Sequence, residues 1–247
     1  MKSECSKWVL MVLTTLLLFS HPERMMAQDE TVTTTQFRLY WHHNQSFTNR
    51  LLYIGNIGYK QELPYHNWIM MNFKPGIEWS AGSIVDLAGG IGLYYTLQKI
   101  IPNSFEFRPW QGMIVHWPSL GRFSFDHYAK FEQRFNRSIG SKEQWSSVLR
   151  SRYRLNVIFP INHPGIIDKT LFVKINAELF WNIGQGIEER YVNKDRYSIG
   201  LGYRFNRNWR LEVYYLAEQS LAFSEEGFRV NSHIFQVSLR TYVFKNI

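Results

Sequence analysis

Cysteine is almost missing from this chain: its 247 residues include one, Cys5. Cys5 stands before a short apolar run that reads as the core of a secretory leader, so the chain beyond that leader has no thiol. Disulfides, thiol nucleophiles and cysteine-ligated metals are thereby excluded. Long apolar runs are missing too. The stretch from Trp8 to Phe19 is about a dozen residues, against the ~20 that a spanning helix needs. No segment rich in Pro, Gly or Ser divides the chain, which reads as a single domain. Gly89-Gly90-Ile91-Gly92 is followed by no helix and is not a phosphate loop. The net charge of +8 is accompanied by no basic helix or nucleic-acid module, so no nucleic-acid partner is expected.

What is present begins with that leader. Lys2 and Lys7 give a basic start, and Met25-Met26-Ala27 offers a small residue for cleavage, so residues 1–27 are expected to be a signal peptide and 28–247 the mature domain. After it comes strand upon strand of alternating apolar and polar residues. In Phe123 to Phe135, Phe123, Phe125, Ala129 and Phe131 share one face. Ser124, Asp126, Lys130, Glu132 and Arg134 share the other. The same alternation runs through Trp145–Phe159, Leu171–Trp181, Tyr197–Arg204, Trp209–Ala217 and the last strand, Phe235 to Val243. Weaker strands precede them near Thr35–His43, Leu51–Lys60, Trp68–Trp79, Ile84–Leu97 and Glu106–Trp117. Pro75 and Pro109 should interrupt their ladders, and the glycines near Gly90 should mark a bend or a close neighbour.

Turn lengths alternate. Ser80-Ala81-Gly82, Pro118 to Gly121 and Asn206-Arg207-Asn208 are tight, while longer polar links follow the strands between them. With aromatics at 17%, this pattern predicts an all-β, single-domain, antiparallel up-and-down transmembrane β-barrel in a bacterial outer membrane, with aromatic girdles. Direct counting gives eleven strands. Single-chain bacterial barrels normally have an even number, so twelve is expected, with the extra strand near Asp29–Thr34, and ten is the alternative. The partners such a barrel implies are outer-membrane lipid, lipopolysaccharide and, during biogenesis, the barrel-assembly machinery.

From Phe105 onward the residues resemble the DUF2490 family of uncharacterised Bacteroidetes outer-membrane proteins. The similarity is carried by Arg108-Pro109-Trp110-Gln111, His116 and Lys130-Phe131-Glu132-Gln133-Arg134-Phe135. It continues through Arg152-Tyr153-Arg154, Asn176 to Asn182, Asp195-Arg196-Tyr197 and His233. The resemblance implies a barrel fold and an outer-membrane location, and no reaction. Two departures are Lys130, where arginine is expected, and the ending Phe244-Lys245-Asn246-Ile247, which places the last aromatic three residues early.

The inward charges are the candidate functional residues. Lys130, Glu132, Arg134, Arg150, Arg152, Arg154, Lys174, Glu178, Arg210 and Glu212 share the polar parity of their strands and can form a cross-strand lattice. Such a lattice plugs the lumen, lines a narrow or gated anion-preferring path, or forms a binding or catalytic pocket. No cofactor and no metal site follows from it: His42 and His43 are adjacent and point to opposite faces, and His116 has inward parity and could hydrogen-bond a glutamate or tyrosine in the lumen. Glu106 with Glu132 or Glu178 could form a carboxylate pair. A lipid- or lipopolysaccharide-modifying enzyme would need a serine, a base and an orienting group on one wall. His127 faces the right way for that role but lies by a tight turn with no serine beside it. A third reading, a soluble periplasmic ligand-binding barrel, would reverse the parity and put Phe123, Phe125 and Leu155 in the cavity.

Overall fold

The computed structural model of the protein describes residues 33–140, 145–183, 194–220 and 230–244. The leader, most of Asp29–Thr34, the last three residues and parts of three links lie outside these. The described residues form eleven strands in one closed barrel: β1 (Thr34–Ser46), β2 (Leu51–Leu63), β3 (Trp68–Ser80), β4 (Val85–Gln98), β5 (Ser104–His116), β6 (Ser124–Ser138), β7 (Ser146–Pro160), β8 (Thr170–Ile183), β9 (Lys194–Asn206), β10 (Trp209–Ser220) and β11 (Val230–Val243). Every neighbouring pair is antiparallel except the closure, where β1 and β11 run parallel from Thr34↔Ser232 to Gln45↔Val243.

That closure corrects the expected strand number. β1 is hydrogen-bonded to β2 and β11, and β11 to β1 and β10, so neither strand has an edge left for another. An even count is required only when the seam joins antiparallel strands. A parallel seam closes an odd barrel, and the described residues form neither twelve nor ten strands.

The period of two then sorts side chains into two media. Because paired residues have matching parity, one face of the sheet carries even numbers from Gln36 on β1 through Lys130 on β6 to Arg240 on β11. This is the inner face, and it holds the buried polar groups, among them Arg38, Glu106, Lys130, Glu132, Glu178 and Glu212. The odd face turns outward and exposes Leu39, Ile57, Ile77, Leu87, Ile175, Ile199, Leu201 and Val213. Aromatics gather toward both ends of that face. Phe123 packs 4.9 Å from Phe159 by the short turns, and Phe105 meets Trp145 edge-on at 6.2 Å by the long links.

The strands tilt. A hydrogen-bonded row from Leu39 leads through Tyr59, Met71 and Tyr95 to Phe105, near the long-link end. In the other direction it leads through Val237, Val213, Leu201 and Val173 to Phe159, near the end that carries the tight turn after Asn206. The β7–β8 link at that end, residues 161–169, is nevertheless long, against the expected alternation. Such stagger is what closing a sheet requires. A strand of 13 residues, such as β1, tilted by about 45° rises about 30 Å.

Two prolines leave gaps in the ladder without shifting its register. Pairing of β3 with β4 breaks at Pro75, between Phe73↔Leu93 and Gly76↔Gly90. Pairing of β5 with β6 breaks at Pro109, between Phe107↔Phe135 and Trp110↔Glu132. Proline has no N–H to give, and the strands on either side hold alignment. Beside these gaps the inward indole of Trp110 lies across Gly76 and Gly90. A Cβ on Gly90 would fall 2.3 Å from the Pro75 carbonyl oxygen and 3.0 Å from the Trp110 ring. Glycine is required there because a neighbouring backbone and a large ring occupy its side-chain space.

Candidate functional site

In the lumen, charged residues of neighbouring strands hold four glutamates, Glu106, Glu132, Glu178 and Glu212, each between two or more cations. On β5 and β6, Glu106 accepts hydrogen bonds from Arg108 Nη2 at 2.5 Å and Arg134 Nε at 2.5 Å. Arg108 is stacked over the Tyr94 ring, 3.7 Å from its centroid. One register step on, Glu132 pairs with Lys130 at 2.9 Å and with Arg150 at 2.6 Å. Glu178 on β8 stands among three arginines: Arg196 at 3.0 Å, Arg154 at 3.4 Å and Arg152 at 3.7 Å. Arg196 also donates to Glu218 through a short contact. Glu212 on β10 is 1% exposed and accepts from Arg240 at 2.9 Å and from the Tyr214 hydroxyl at 2.7 Å, with Arg210 at 3.7 Å. A buried carboxylate survives desolvation only when its lone pairs are filled in this way.

Aromatic rings carry the cations between these carboxylates. The Lys130 ammonium is 4.2 Å from the Trp110 ring, and Arg152 and Arg154 lie 5.6 Å and 5.0 Å from Tyr128. Arg196 sits 5.0 Å from Phe180, and Arg210 5.3 Å from Phe172. Each ring is attracted to the charge and also stiffens its side chain.

The charged residues singled out by parity thus come together in the lumen, with Lys174 on its wall but in no ion pair among the described residues. The motif residues divide. Arg108, Trp110 and Arg196 point inward, while Pro109, Gln111 and Asp195 occupy the outward register. His116 sits at the short-turn mouth, 2.8 Å from Asp86, and meets neither a glutamate nor a tyrosine. Glu106, Glu132 and Glu178 form no carboxylate pair, since each is claimed by its own cations. His127 faces outward against Trp117 and bonds the Tyr153 hydroxyl. No serine hydrogen-bonds a histidine, and no group of three metal-ligating side chains occurs, among the described residues. Phe123 is exposed on the outer face and the charges are within, the opposite of the apolar cavity that a reversed parity would make.

Parity analysis of the later strands missed half of the lumen. Arg38, Tyr40 and His42 of β1, Lys60 of β2 and Lys74 of β3 all face inward. Their even numbering carries the same signal, weakened because Tyr40 and Trp41 are both aromatic and Pro75 breaks the run. Two chambers lie among these side chains. The larger, about 480 Å³, is lined by residues toward the short turns such as Asn44, Lys74, Arg154, Lys174 and Tyr242. The smaller, about 200 Å³, lies toward the long links and includes Lys60, Met70, Asn182 and Glu218. Arg38 and Arg196 line both chambers, so they mark the waist between them.

Polar and charged inside, apolar outside and closed on itself, the molecule is an inside-out β-barrel. The chain belongs to the family described as "Protein of unknown function (DUF2490)", whose model matches residues 36–227. The match takes in the first strand, where individual motifs are weak, and stops before β11, so His233 lies beyond it. No curated protein matches the chain.

Proposed function

We infer that the protein is an outer-membrane β-barrel whose charged lumen serves a structural or narrow solute-passing role. The observation that carries this reading is the apolar outer face. Ile57, Ile77, Ile175, Ile199, Leu201 and Val213 are each about half exposed around the barrel. A soluble protein rarely presents so continuous an apolar surface, whereas a bilayer covers it at no cost. The band is flanked by rings at both ends, and a rise of about 30 Å is enough to cross a hydrocarbon core. No lipid-directed chemistry is assigned, because the outer wall offers no activated nucleophile among the described residues. With Arg38 and Arg196 at the waist, small anions are the solutes that the lumen favours over cations.

Single-channel recording of the purified, folded protein in a planar bilayer tests this. Discrete small steps with anion selectivity in a salt gradient are the expected result. A folded barrel that inserts and stays silent would leave the structural role and remove passage. A protein that stays soluble without detergent would overturn the membrane reading itself.

A further inference from the structure

The larger chamber holds more cations than its two lining carboxylates can balance: Glu178, and Glu78, which makes no ion pair among the described residues. Lys74, Lys174 and Arg38 all line it, and none makes an ion pair with a described carboxylate. Arg38 donates only to the Gln36 side-chain oxygen, at 2.6 Å for Nη2. Lys74 is held over the Tyr40 ring at 5.4 Å, which steadies the ammonium without neutralising it. Arg152 and Arg154 face the same space, share one carboxylate at 3.7 Å and 3.4 Å, and each keeps a buried Nε–H with no acceptor. Like charges gathered around one chamber repel, and buried donors without acceptors are costly. Both penalties vanish together if an anion occupies the chamber.

We propose that this chamber is a binding site for a small multivalent oxyanion of the phosphate class, held by Lys74, Lys174, Arg38 and the unpartnered edges of Arg152 and Arg154. Its volume of about 480 Å³ is within the ordinary range for a small-molecule site. More than one negative charge is needed, because several cations remain uncompensated. Ammonium groups set as point charges beside guanidinium edges suit phosphate oxygens. Glu178 on the same wall does not repel the ligand, since three arginines already neutralise it. The inference rests on the charged lumen of the passage reading but does not require the path to be open.

The test is titration calorimetry and thermal unfolding of the full barrel in detergent micelles. The probes are inorganic phosphate, pyrophosphate and a hexose monophosphate, each against sodium chloride at equal ionic strength. Saturable binding and a raised unfolding temperature with the phosphate compounds, and neither with chloride, are expected. The variant Lys74→Met with Lys174→Met should weaken binding by at least about tenfold. Without ligand it should unfold no more easily than the wild type, because it removes repulsion. Preference for inorganic phosphate over the hexose monophosphate would mark the free ion as the ligand, and the reverse a phosphorylated solute. Binding no stronger than that of chloride overturns the proposal, as does wild-type affinity in the double variant. If that variant fails to fold, the wild-type comparison with chloride decides alone. A silent bilayer recording with phosphate binding intact would remove passage and leave the site standing.

Discussion

Along every strand of this barrel, one residue faces a medium in which the next could not reside. On β9, Arg196 faces the lumen among Glu178, Glu218 and the Phe180 ring, and the nearby odd residues, Tyr197 and Ile199, are open to the outside. In a soluble protein the burial of these two classes would be exchanged. The contrast teaches that burial in this molecule is organised by charge, and that its apolar residues are turned outward. A second contrast lies within the lumen. The β5–β7 wall matches Glu106 and Glu132 to cations, whereas Lys74 and Lys174 make no ion pair with a described carboxylate.

The contrast is broken most severely at Glu212. Glu212→Ala leaves Arg240, Arg210 and the Tyr214 hydroxyl without their acceptor, and should cost about 3–5 kcal/mol in urea unfolding of the folded barrel. The outer face is next. Ile199, near the middle of its strand, is 54% exposed, and Ile199→Lys should cost about 2–4 kcal/mol if lipid covers it. A soluble barrel would tolerate the same change within about 0.5 kcal/mol, so this measurement separates the two media directly. Replacing Arg152 and Arg154 together should have a smaller effect, about 1–2 kcal/mol, because Arg196 still holds Glu178 at 3.0 Å. It should also lower heat resistance on gels or raise conductance, and wild-type behaviour in both would show that these arginines do not organise the lumen. The smallest effect falls on the unbalanced wall. Lys74→Met alone should change ligand-free stability by less than about 0.5 kcal/mol or raise it, in contrast to the loss at Glu212.

Much of this architecture is legible in residue order. Phe123 to Phe135 announces its strand by alternation alone, and the tight turn at Asn206-Arg207-Asn208 sits between two strands as its composition requires. The inward position of Lys130, Glu132 and Arg134 follows from the same period of two. These features are local: a strand's pleat acts on each residue and its immediate neighbours, so sequence carries them.

Tertiary structure decided the rest. The parallel seam joins Thr34 to Ser232, residues with no local signal for each other, and it lets the eleven strands that direct counting gives close without a twelfth. Parity places Glu132 and Arg150 in the same lumen, but only the register of β6 against β7 pairs them, and only the closed barrel leaves Lys174 in no ion pair among the described residues. The waist of Arg38 and Arg196 likewise depends on strands that meet across the interior. Alternation is a property of one chain segment, whereas charge balance is a property of side chains that converge, and convergence is set by closure of the barrel.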